Sequence, residues 1–118
     1  MSGHFRTAAT IVLAISMATL ASGGAAAFAF EDISGKWCTT GGTEQFDREN
    51  LVAILKSSGE RHVFPIVGYR AGDTALTVLW KNAKGQQVST DFGEFSADRR
   101  TMVQLPSNAG PRREFHRC

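Results

Sequence analysis

The sequence predicts an all-β fold, a small eight-stranded antiparallel meander barrel closed by one disulfide. Three observations predict it. Turn signals recur at near-even spacing, the runs between them alternate apolar with polar residues, and two cysteines fall on one outward face of the first and last runs.

A segment with the pattern of a cleavable export signal precedes the barrel. Met1 to Arg6 forms a short basic start, Thr7 to Ala21 an apolar run, and Ser22 to Ala29 a small-residue stretch. The apolar run, about 15 residues, is shorter than the roughly 18 to 20 that span a bilayer, and no basic stop-transfer cluster follows it. No transmembrane anchor is therefore expected. Two positions satisfy the small-x-small rule for cleavage: after Ala27 and after Ala29, the second preferred. No cysteine follows the run to carry a lipid, so the product is expected in a bacterial periplasm or secreted.

Removal of 29 of the 118 residues leaves a single domain of 89, residues 30–118. It carries 12 basic and 11 acidic side chains, since Arg6 is the only Lys, Arg, Asp or Glu in the segment removed. Such a balance selects no class of partner. A domain of this length buries only about 60–65% of its unfolded surface and gains from a covalent staple.

From Gly35 onward the punctuation falls at Gly41-Gly42, Ser57-Ser58-Gly59, Ala71-Gly72-Asp73, Asn82 to Gly85, Ser96-Ala97-Asp98 and Ser107 to Pro111. Spacing of about 11 to 14 residues is the rhythm of a meander. The runs between, rich in β-branched and aromatic residues, are Lys36–Thr40, Thr43–Asp47, Leu51–Lys56, Arg61–Arg70, Thr74–Lys81, Gln86–Phe95, Thr101–Leu105 and Arg113–Cys118. Alternation is clearest at Leu76, Val78 and Trp80 and at Val88, Thr90 and Phe92, which gives each run one buried face. Gly93 lets the pattern slip toward Phe95 and suggests a bulge, and Pro65 removes a ladder donor and marks an edge or a bulge. Residues 47–59 also fit a helix, with Asp47 as N-cap and Gly59 as C-cap, but the short run among strands favours a strand.

Cys38 and Cys118 are the only cysteines, and an exported chain meets an oxidising compartment. If Trp37 points inward then Cys38 points outward, and if Phe115 points inward then Cys118 points outward. Closure of eight strands makes the first and last neighbours, at a separation a disulfide can bridge. A metal pair or a reactive thiol is the rival use of the cysteines, and an open sheet or a two-sheet sandwich the rival architecture.

The segment Asp32-Ile33-Ser34-Gly35-Lys36-Trp37 resembles the Gly-x-Trp that opens the first strand of the lipocalins and their small calycin relatives. In that family a basic residue near the last strand packs across the Trp. The resemblance implies that role for Arg117, on the inward face of Phe115, with Arg113 as second candidate. It also implies a non-enzymatic protein that takes a small apolar ligand or a protein partner. Tyr69, Trp80 and Phe92 are the aromatic residues expected to face that ligand or to fill the core. The layout of signal, length and disulfide also resembles small periplasmic inhibitors of lysozymes or proteases. That resemblance implies binding through the loops at Ser57 to Glu60, Asn82 to Gly85 and Ser107 to Pro111.

Catalytic chemistry has no visible actor. His62 and His116 lie in no metal-ligating spacing, no nucleophile elbow is present, and Asp91 and Glu94 on alternating strands read as solvated carboxylates. No metal or cofactor is expected. Arg99, Arg100, Arg112, Arg113 and Arg117 would suggest an anionic partner, but a hairpin with Val103 and Leu105 inward opposite Phe115 and Arg113 splits these charges between its two ends. Export also argues against nucleic acid, and a monomer is expected.

Overall fold

The computed structural model describes residues 27–108 and 110–118; the expected export signal, up to residue 26, lies outside the described residues. The chain enters through one helical turn, α1 (Phe30–Ile33). Eight strands follow: β1 (Gly35–Thr39), β2 (Gly42–Phe46), β3 (Asn50–Leu55), β4 (Arg61–Arg70), β5 (Ala75–Lys81), β6 (Gln87–Gly93), β7 (Thr101–Gln104) and β8 (Arg113–Arg117). Each pairs antiparallel with the next, and β8 returns to β1 through Trp37↔Arg117 and Cys38↔His116. The sheet is a closed barrel in chain order, not an open sheet or a sandwich. Closure leaves no long unpaired edge to template aggregation. No helix among the described residues is long and apolar enough to cross a membrane.

Residues 47–59 hold a strand rather than a helix. Asp47 Oδ1 accepts from the backbone N–H of Glu49 at 2.9 Å and of Asn50 at 2.6 Å, which tightens the β2–β3 turn. An Asp side chain bonding donors two and three residues ahead serves a turn as well as a helix start, hence the two readings of one residue. The proline of β4 is tolerated for a geometric reason. Ile66 N–H donates to Glu49 O on the β3 side, so Pro65 turns its nitrogen toward β5, where strand pairing begins only at Ile66. The expected irregularity follows at once, as a register shift between Ile66 and Gly68. β6 ends at Gly93 instead of bulging on to Phe95, and Glu94 turns the chain with φ 51°.

The β7–β8 register differs by one residue from the sequence expectation. Met102 pairs with Phe115 and Gln104 with Arg113, so these two, not Val103 and Leu105, face inward. The apolar pair is accounted for by Gly93, whose missing side chain leaves a gap on the outer surface. Val103 pairs with Gly93, and the Leu105 side chain lies over it.

The core is a column of Trp37, Phe46, Leu76, Val78, Phe92, Met102 and Phe115, all buried. Phe92 is its hub, meeting Phe46 and Phe115 edge-on at centroid distances of 5.3 and 5.9 Å. On the outside, Cys38 and Cys118 form a disulfide with Cα atoms 5.0 Å apart, linking positions 80 residues apart in sequence. It staples the seam where β1 meets β8.

Candidate ligand cavity and the plugged end

The up-and-down strand order gives the barrel two unlike ends. α1 and the β2–β3, β4–β5 and β6–β7 connections share one end; the other four turns share the opposite end. Their side chains divide the work.

The first end is plugged. Ile33 of α1 is fully buried, and its carbonyl accepts from Trp37 Nε1 at 2.8 Å. The Arg117 guanidinium lies 3.8 Å from the centroid of Trp37. It also donates to three backbone carbonyls: Ser34 at 2.7 Å, Asp32 at 3.2 Å and Arg99 at 3.2 Å. A planar fork with several fixed donors suits this task in a way that an ammonium does not. Gly35 makes room for it: φ is +104°, and a Cβ there would sit 3.1 Å from Arg117 Nη1. Burial, and secondarily the Arg100 charge, pulls Arg117 below its ordinary pKa without neutralising it.

Two further contacts hold α1 in place. Asp32 accepts from Ala29 N–H and from Arg99 Nε, each at 2.8 Å. Burial opposes the charge on Asp32, but these two donors outweigh it and hold the carboxyl below its usual range. The entering strand segment is also anchored, because Phe28 exchanges backbone hydrogen bonds with Gly72 at 2.8 and 3.2 Å. Its ring packs on Phe95 at 4.7 Å, with the Arg99 guanidinium 4.9 Å from its centroid. Tyr69 belongs to this end as well. It packs on Phe30 at 4.7 Å and donates to Asp47 O at 2.7 Å, and burial followed by the Asp47 charge pushes its pKa up.

The opposite end opens into a cavity of about 160 Å³. Its walls are Phe46 and Leu51 from β2 and β3, Phe64 and Val78 from β4 and β5, and Trp80 and Phe92 from β5 and β6. Phe64 meets Trp80 edge-on at 5.1 Å, and the indole is fixed by donating to Thr90 Oγ1 at 3.0 Å. Four polar side chains converge on this apolar wall: Glu44, Thr90, Gln104 and Arg113. Arg113 Nη2 donates to Glu44 Oε2 at 2.6 Å and to Gln104 Oε1 at 2.9 Å, and its guanidinium lies 5.0 Å from the Phe115 ring centroid. A mostly apolar pocket with a few placed polar groups is the usual build of a small-molecule site.

The residues singled out in the sequence therefore separate. Trp37 and Arg117 meet as a pair, with Arg113 occupied elsewhere, at the open end. Trp80 and Phe92 line the cavity, whereas Tyr69 stands at the plugged end. Sequence reasoning missed Glu44, Thr90 and Gln104 as cavity residues. Cross-strand parity places Glu44 on the same face as Trp37, its register partner, and carries the signal for it. The arginines do not pool into an anion-binding patch: Arg99 pairs with Asp32, Arg112 with Glu94 at 2.8 Å and Arg113 with Glu44. Asp91 accepts from Thr77 at 2.5 Å and Glu94 is engaged by Arg112, so they do not face one another as an acid and base pair. No group of three metal-ligating side chains forms among the described residues.

These features define a small closed meander barrel, plugged at one end and open at the other to a single-ring-sized cavity. Comparison with protein-family models, with curated proteins and with solved structures finds no match.

Proposed function

We propose that this chain is exported to a bacterial periplasm or beyond the cell, and that its mature barrel is a non-enzymatic binding protein for a small apolar ligand. The observation that carries this reading is the cavity of about 160 Å³ walled by Phe46, Phe64, Trp80 and Phe92. A dry cavity of about 150 Å³ holds benzene, so the space fits one ring rather than a long chain. The disulfide supports export, because such bonds persist in oxidising compartments. The stack of Arg117 on Trp37 is the contact that the lipocalin-like resemblance implies, and it lends support to this reading. Trp80 is half-buried on the cavity wall and Trp37 is sealed at the far end, so a bound ring should quench Trp80 emission saturably. A flat response across a panel of small aromatic and aliphatic probes would overturn the proposal.

A second reading, inhibition of a secreted lysozyme or protease, draws support from the loops. The β3–β4, β5–β6 and β7–β8 connections, which include the three loops named in the sequence, all rise from the open end. Incubation with such hydrolases should then lower their activity, and full activity in every assay would remove this reading.

A further inference from the structure

Resting on the reading of the cavity as a ligand site, the geometry points to a ligand of narrower chemistry: one aromatic ring carrying a neutral carbonyl acceptor, as in an aryl amide, aldehyde or ketone.

The size of the space sets the ring, and an unequal supply of donors sets the head group. Thr90 and Gln104 are each only 5% exposed, yet both line the cavity. Thr90 Oγ1 is used as an acceptor by Trp80 Nε1, and among the described residues nothing accepts its own O–H. Gln104 Oε1 is taken by Arg113, while its Nε2 amide donates to no described residue. Arg113 uses Nη2 alone in its bonds to Glu44 and Gln104, but its side chain is 38% exposed and water reaches its remaining N–H groups, so the buried donors in question are those of Thr90 and Gln104. Buried donors left without acceptors are costly, and so the polar side of the cavity calls for an acceptor-bearing guest.

Charge then selects among acceptors. Glu44, its side chain 13% exposed, already neutralises Arg113 at 2.6 Å. A second carboxylate in the same small space would meet like charge and lose its hydration together, whereas a carbonyl oxygen takes the donors without either cost. The walls supply the partner for the ring, since Phe64, Trp80 and Phe92 present aromatic surface on adjacent strands.

The test compares three probes of one ring size, benzamide, benzoate and toluene, by calorimetry and Trp80 quenching with the disulfide-bonded protein. Benzamide is expected to bind about tenfold tighter than toluene, the discrimination expected of one or two buried hydrogen bonds, and tighter than benzoate. Gln104→Leu and Thr90→Val should each shrink the preference for benzamide over toluene several-fold, and a ratio unchanged in both variants would overturn the acceptor inference. Equal binding of benzamide and toluene, or benzoate as the tightest probe, would overturn the acceptor inference while leaving an apolar site. Absence of binding by all three would overturn the site itself.

Discussion

Breaking the staple between Cys38 and Cys118 should bring the barrel close to unfolding. The bond joins residues 80 apart in sequence, nearly the length of the barrel domain. Without it the unfolded chain regains the freedom of a long open loop, which the chain-entropy model puts at about 4.5 kcal/mol for a closure of this length. A domain of this size is stable by only about 5–15 kcal/mol, so the loss is a large fraction of the total. The native contacts at the seam are also few, because β1 and β8 share two register pairs, against five between β1 and β2. Urea unfolding of the oxidised protein and of the Cys38→Ser, Cys118→Ser double variant measures the effect. With a slope of about 1–2 kcal/mol/M, the midpoint should fall by roughly 2–4.5 M, or the variant should be unfolded in buffer. A fall of under about 0.5 M would refute the reasoning, and would mean that strand pairing alone keeps the seam shut.

Arg117→Met should destabilise by about 2–4 kcal/mol, through the lost stack on Trp37 and three carbonyls left without their donor; Arg117→Lys should recover little, as read by thermal unfolding. A chain that begins at Phe30 should melt roughly 5–15 °C below one that begins at Phe28, since it lacks the Gly72 pairing and the Phe95 contact. The intact mass of the exported protein should correspond to cleavage after Ala29, the preferred site, and a mass two residues larger would place it after Ala27. Asp32 has its folded pKa depressed, so its contribution is complete above the unfolded value of about 3.9 and is lost as pH falls through the folded value. Asp32→Asn should therefore be less stable than the parent at pH 7, with the gap closing in acid below about pH 4.

The barrel was legible because its signals are local and repeat. Turn residues and period-two runs located all eight strands, and parity placed both cysteines outside, next to the inward Trp37 and Phe115. Parity failed at β7 because Val103 and Leu105 look like inward residues. Their burial comes from Gly93 on a neighbouring strand, a compensation that no single run displays. The cavity was harder to read for a related reason. Glu44, Thr90, Gln104 and Arg113 come from four different strands, and each taken alone is an ordinary polar residue of a strand. Only the closed register of the barrel turns them toward one space. Asp47 shows the limit of local chemistry, since one side chain pattern serves a helix cap and a turn equally well.

Filling the cavity from its wall tests the ligand-site account most directly. Ala53 lies in the lining beside Leu51 and Phe64, and Ala53→Leu extends a branched apolar side chain into a space of about 160 Å³. Trp80 emission is followed while the parent and the variant are titrated with benzamide and toluene. The account predicts saturable quenching in the parent and none in the variant, with the variant's melting temperature at or above that of the parent. Equal quenching in both, or none in either, would contradict it.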